Sequence, residues 1–83
     1  MQMDFITFRS ITPAQRGQRI LQSAGIPCNL QRTPRWMEER GCGYCLRLHK
    51  EDTAQAVARF RENKLGFSKV YTSTDAGVEE RQI

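Results

Sequence analysis

The chain has 83 residues, 13 of them basic and nine acidic, and a formal net charge of +4. This length allows one domain, and no apolar run approaches the roughly 20 residues that a membrane-spanning helix needs. Three cysteines, an odd number, exclude a framework in which every cysteine is paired within the chain.

The first residues show no basic region followed by an apolar stretch, so no signal peptide is predicted and we expect the cytoplasm. In that compartment cysteines are thiols, metal ligands or redox groups. Residues 73–83 carry three acidic side chains and one arginine, so the remaining body has 12 basic and six acidic residues, a net +6. We predict a single domain over residues 1–72 and a polar, flexible tail over residues 73–83.

The first half of that domain begins with a strand over residues 4–8, rich in aromatic and β-branched side chains. Thr12 and Pro13 predict a helix start, with Thr12 as the capping residue, and Gly25 predicts its end. The alternation from Ile26 to Arg32 predicts a half-buried second strand, and residues 33–42 predict a loop.

A third strand is predicted over residues 43–49, with Tyr44, Leu46 and Leu48 on one face and Cys45, Arg47 and His49 on the other. Glu51 and Asp52 predict the start of a second helix, whose apolar stripe holds Ala54, Val57 and Ala58, with Phe60 at its margin. A fourth strand covers residues 67–72. The predicted fold is therefore α+β, a ferredoxin-like β-α-β-β-α-β arrangement with a four-stranded antiparallel sheet and two helices on one face.

The predicted loop between the second and third strands is long for a hairpin connection, which favours a functional role. Gly41 and Gly43 flank Cys42 and, together with Pro34, shape the loop, while Arg35 and Arg40 are the nearest cations. Because a nearby positive charge lowers the pKa of a thiol, we predict that Cys42 is an exposed and reactive nucleophile.

Cys42 and Cys45 form a CxxC pair, so Cys45 is either a resolving thiol or a small residue on the outer face of the sheet. Cys28, Cys42, Cys45 and His49 could form a zinc set, but strand parity puts Cys28 on the face opposite Cys45 and His49. We therefore expect no metal. The lack of a catalytic His, Asp and Glu cluster predicts a protein that is not an enzyme and has no cofactor.

Two functions could use the same loop. One is a non-catalytic module in which Arg35, Trp36 and Arg40 dock a protein or a nucleic acid, although the RNP1 motif of RNA-recognition domains is absent. The other is a dithiol redox protein that uses Cys42 and Cys45. The sequence does not favour a nucleic acid or a membrane as the partner, and it does not define the oligomeric state.

The order Thr33-Pro34-Arg35, a polar spacer, Cys42-Gly43 and a Leu-Arg-Leu strand resembles a family of small selenium/sulfur carrier proteins. The likeness covers roughly residues 4–72 and includes Thr7-Phe8, residues 23–27 and Val70-Tyr71. The resemblance implies that Cys42 is the carrier thiol and that Arg35 is its basic neighbour. It also implies a cysteine desulfurase or selenocysteine lyase as the donor of a persulfide or perselenide, and an acceptor protein.

Overall fold

The protein was analysed as a computed structural model, which describes residues 2–34, 43–74 and 77–81. Neither helix in these ranges has the length and apolar character needed to cross a membrane. A single 3-10 turn, Lys50–Asp52, leads into the second helix. The remaining elements, in chain order, are β1 (Met3–Phe8), α1 (Ile11–Ser23), β2 (Cys28–Arg32), β3 (Tyr44–His49), α2 (Thr53–Glu62), β4 (Val70–Thr74) and β5 (Gly77–Arg81).

The strands form one antiparallel sheet in the order β2-β3-β1-β4-β5. The predicted α+β class is confirmed, but the predicted count of four strands is wrong, because residues 77–81 of the predicted tail form β5. At the adjoining ends of β4 and β5, the Thr74 hydroxyl donates a 3.1 Å hydrogen bond to the Gly77 carbonyl, and Gly77 has a φ of 128°. That conformation favours glycine. The ferredoxin-like assignment stays a prediction.

The register of the central strands determines which side chains face the helices. Ile6 lies opposite Leu46, and Phe8 opposite Tyr44, so these residues share one face of the sheet. The predicted division of β3 into a core face and an outer face is thereby confirmed. Both helices contribute to the same core, which comprises Ile6, Phe8, Ala14, Leu21, Ile26, Leu46, Leu48, Ala56, Val57, Phe60, Leu65 and Val70.

Helix α1 lies unusually close to the core because it carries Gly17 at its contact with the sheet. A Cβ atom at this position would meet Leu46 Cδ1 and Phe8 Cζ at 3.1 Å, and Phe60 Cε1 at 3.3 Å. The Phe8 and Phe60 rings stack edge to face, with centroids 5.9 Å apart. Both helices therefore pack on the same sheet face.

The helix boundaries differ from their predictions by amounts that change the buried face. Helix α1 begins at Ile11 after Ser10, so Thr12 is not its capping residue. In α2 the buried residues are Thr53, Ala56, Val57 and Phe60, whereas Ala54 and Ala58 are exposed. The prediction was right at Val57 and wrong at Ala54 and Ala58, because α2 proper starts at Thr53 and the i, i+3, i+4 and i+7 positions counted from there face the core.

Candidate functional site

The predicted loop over residues 33–42, in which the sequence places the reactive cysteine, connects strands β2 and β3. The ladder pairs Arg32 with Tyr44, and beyond that pair the Thr33 amide donates a 3.0 Å hydrogen bond to the Gly43 carbonyl. This contact closes the base of the connection that contains residues 34–42. The predicted site residues Arg35, Arg40, Gly41 and Cys42, together with Trp36, lie outside the described residues.

Of the residues predicted to shape this loop, Pro34 and Gly43 are described, and both are half-buried. A Cβ atom on Gly43 would meet nothing within 4 Å, and its φ is not in the left-handed region. The backbone of Gly43 therefore has no conformation that requires glycine. What it provides structurally is the carbonyl that anchors Thr33.

A cation lies at the base of the hairpin, on the side that faces the helices. The guanidinium of Arg32 stacks over the Tyr44 ring, 5.4 Å from its centroid, and the Arg32 side chain is exposed. Cation–π contacts at exposed sites contribute about 0.5–1 kcal/mol. The contact holds a positive charge two residues before Pro34, in addition to Arg35 and Arg40, which the sequence predicts as the nearest cations to Cys42.

Cys45 lies on the outer face of the sheet and is completely buried, with an exposed fraction of 0%. Burial raises the pKa of its thiol, and the polar side chains of Thr33 and Gln31 act weakly in the opposite direction. The Thr33 hydroxyl is itself buried and has no hydrogen bond of ordinary geometry to a described residue. A neutral, buried thiol is a poor nucleophile, so the resolving role of Cys45 stays a prediction that this environment does not favour.

Cys28 faces the other side of the sheet. It lies opposite Leu48 in the ladder and packs against the core, and burial raises the pKa of its thiol. The predicted separation of Cys28 from Cys45 and His49 by strand parity is therefore confirmed. Among residues 2–34, 43–74 and 77–81, no three His, Cys, Asp or Glu side chains are grouped in a way that could hold a metal ion.

The sequence analysis missed a buried polar cluster centred on Asp4, whose exposed fraction is 0%. The carboxylate accepts hydrogen bonds from the Thr53 hydroxyl at 2.6 Å and the Thr72 hydroxyl at 2.8 Å, and it forms an ion pair with Arg81. These contacts join β1, α2, β4 and β5. Strand parity could have found it, because Asp4 alternates with Ile6 and Phe8 and so must face the core.

Comparison with known proteins gives one match. The family model described as "Putative Se/S carrier protein-like" matches residues 4–72, which span β1 to the middle of β4 and include the whole β2–β3 hairpin with Cys42. No curated protein matches the chain. No solved structure matches it either. Because the matched residues make up most of the chain, the protein belongs to this family of Se/S carrier-like proteins.

Proposed function

We propose that the protein carries sulfur or selenium as a persulfide or perselenide on Cys42, built on a ferredoxin-like scaffold in the cytoplasm. The observation that carries this proposal is the family match over residues 4–72, which includes the loop and both strands that hold it. The family description names the cargo, and the thiol chemistry of this chain supplies the means of holding it.

The environments of the other two cysteines support Cys42 as the carrier thiol. Cys45 is fully buried and Cys28 packs against the core, and burial raises the pKa of both thiols. A carrier needs an accessible thiolate at neutral pH, which neither environment favours. Cys42 is the remaining one of the three cysteines in the chain and therefore the candidate for the carrier thiol.

The transfer step is a displacement at sulfur or selenium. The Cys42 thiolate attacks the terminal atom of a donor persulfide or perselenide and forms a new S–S or S–Se bond. The bond between that atom and the donor sulfur breaks, and its electron pair leaves with the donor as a thiolate. No net oxidation or reduction occurs. The same exchange with an acceptor thiolate returns Cys42 to its starting form.

Positive charge near the loop would stabilise both the attacking thiolate and the anionic adduct. Arg35 and Arg40 lie seven and two residues before Cys42 in the sequence, and the exposed guanidinium of Arg32 at the base of the hairpin adds a third cation. Such a carrier needs neither a general base nor a deep pocket.

The test is the intact mass of the protein after incubation with a cysteine desulfurase or a selenocysteine lyase and its substrate. We expect the wild type to gain one sulfur or selenium atom, the gain to be reversed by a thiol reductant, and Cys42→Ser to gain nothing. Cys28→Ala and Cys45→Ala are matched controls that remove a thiol elsewhere, and both should still load.

Other results of this loading experiment would indicate a different function. The protein is a dithiol redox protein if two results are found together. The oxidised wild type loses the mass of two hydrogens, which indicates a Cys42–Cys45 disulfide, and Cys45→Ala fails to load as Cys42→Ser does. If no adduct forms with any donor, the carrier proposal is wrong. A binding module that uses Arg35, Trp36 and Arg40 would then be tested by charge reversal at the two arginines.

A further inference from the structure

The outer surface of the helix layer contains an open groove of about 360 Å³ where α1 and α2 meet. It lies on the far side of the helices from the sheet and does not involve the β2–β3 hairpin. Three arginines line it: Arg16 and Arg19 from α1 and Arg59 from α2. The other lining residues are Ile20, Ser23, Ala24 and Asn63.

The charge around this groove is unbalanced. Helix α1 contains two arginines and no acidic residue, and α2 contains two arginines and one glutamate, so the two helices together carry a net +3. Like charges on neighbouring helices repel one another, and exposed helix faces commonly relieve this with carboxylates at i+3 or i+4. Among the described residues, Glu62 is the carboxylate that forms an ion pair with a groove arginine, Arg59.

The internal contacts of the three arginines leave most of their donors unused. Arg16 donates one 2.9 Å hydrogen bond to the Asn63 carbonyl, just after the end of α2. Arg59 lies 3.5 Å from Glu62 in an exposed pair of the kind that contributes little to stability. Arg19 is exposed and forms no hydrogen bond or ion pair with any described residue. Each guanidinium has five N–H donors, so the groove presents an array of unfilled donors.

The residues that line the groove favour an acidic amphipathic helix over a nucleic acid as the anionic partner. Ile20 and Ala24 are half-buried and form an apolar floor between the cationic side chains. No aromatic ring is among the lining residues, so the groove lacks the stacking platform by which proteins bind single-stranded nucleic acids. An apolar floor flanked by cations matches an amphipathic helix that has apolar anchors on one face and carboxylates beside them.

We propose that this groove is a docking site for an acidic amphipathic helix of a partner protein. An apolar side chain of that helix packs on Ile20 and Ala24, and its carboxylates accept hydrogen bonds from Arg16, Arg19 and Arg59. The docking does not require the Cys42 thiol. The proposal therefore stands or falls separately from sulfur or selenium transfer.

The experiment measures binding of a fluorescent synthetic peptide of about 16 residues, long enough to form a helix, with leucines at i, i+4 and i+7 and glutamates beside them. The readouts are fluorescence anisotropy and NMR shifts of the backbone amides. We expect saturable binding that weakens with salt and shifts that cluster on α1 and α2. Arg19→Glu should weaken binding by at least about tenfold.

Arg47→Glu is the matched control, since it makes the same charge change at an exposed residue on the opposite face of the sheet. It should change the affinity by less than about twofold, because that residue is remote from the groove. Binding in the Cys42→Ser variant should equal that of the wild type. Circular dichroism of each variant confirms that the helices are intact.

Three results would overturn the proposal. The first is no binding of the amphipathic peptide, and the second is equal binding of a scrambled peptide of the same composition, which would show that only net charge matters. The third is tighter binding of an oligodeoxythymidine with the same dependence on Arg19, which would reassign the groove to nucleic acid.

Discussion

The Asp4–Arg81 pair offers the sharpest test of how this small domain is stabilised. Replacing Arg81 by methionine keeps most of the side-chain length but leaves the fully buried Asp4 carboxylate without its cation. Its remaining donors in the part of the chain that the structure describes are the hydroxyls of Thr53 and Thr72. Removing one partner of a buried ion pair costs about 3–5 kcal/mol, and of an exposed pair about 0–1 kcal/mol. Because the Arg81 side chain is 32% exposed, we expect a loss of about 2–3 kcal/mol in the free energy of unfolding.

This loss is measured by urea and thermal denaturation followed by circular dichroism. For a domain of this size, 1 kcal/mol corresponds to about 4–8 °C, so the midpoint should fall by about 10–20 °C. Glu80→Gln is the matched control on the same strand. It breaks the exposed Lys69–Glu80 pair, whose atoms are 3.4 Å apart, and should cost less than about 1 kcal/mol.

A double-mutant cycle separates the buried charge from other effects of the substitution. Asp4→Asn removes the charge that Arg81 balances, so the two changes together should cost about 1–2 kcal/mol less than the sum of the single changes. The reasoning is refuted if Arg81→Met costs no more than Glu80→Gln. Strict additivity of Asp4→Asn and Arg81→Met would refute it as well.

Two further predictions concern the core and the thiols. Gly17→Ala should lower the free energy of unfolding by about 1 kcal/mol, because overpacking against Leu46 and Phe8 outweighs the gain in helix propensity, whereas Gly66→Ala, with open space around it, should be nearly neutral in urea denaturation. Because the folded-state pKa of the Cys45 thiol is raised, its stabilising effect is present below the ordinary thiol pKa of 9.0 and is lost as the pH rises through the folded value. Alkaline urea titration should therefore show a steeper loss of stability for the wild type than for Cys45→Ala, and equal slopes would contradict this.

Much of the fold could be read from the sequence where a simple periodicity applies. The alternation in β3 correctly divided Leu46 and Leu48 from Cys45 and Arg47, because side chains in a strand point to opposite faces with a period of two. The predicted stripe of helix α2 was right at Val57 but wrong at Ala54 and Ala58, because the buried face includes the polar Thr53, which an apolar pattern does not count. A shift of one residue along a helix rotates the side-chain direction by about 100°. Ala54 was then placed inside and Phe60 at the margin.

Strand β5 could not be predicted because its residues carry almost no apolar signal. Glu79 and Glu80 resemble a solvated tail, and Val78 is the one apolar side chain described within the strand. The strand is stabilised by ladder hydrogen bonds to β4 and by the contact of Arg81 with Asp4, two residues that lie 77 positions apart. Local patterns contain no information about such a distant pair.

At the candidate site, too, the sequence predicts features that depend on neighbouring residues and not those that depend on strand pairing. The motif around Cys42 is local, and the sequence alone was enough to suggest the family that the comparison confirmed. The unequal environments of the other cysteines depend on the register, which sets Cys45 beside Gln31 and Cys28 opposite Leu48. Burial then raises the pKa of both thiols, which disfavours the thiolate form of Cys28 and Cys45 at neutral pH.

The Asp4–Arg81 ion pair links strand β5, near the end of the chain, to strand β1 at its start. The family match ends at Thr72, whereas the cation that balances the buried Asp4 comes from Arg81 in β5. A chain cut after Thr72 would lose that cation together with every ladder hydrogen bond on the outer edge of β4. Since the loss of that cation alone should cost about 2–3 kcal/mol in a domain whose total stability is about 5–15 kcal/mol, we expect β5 to be needed for the stability of the domain.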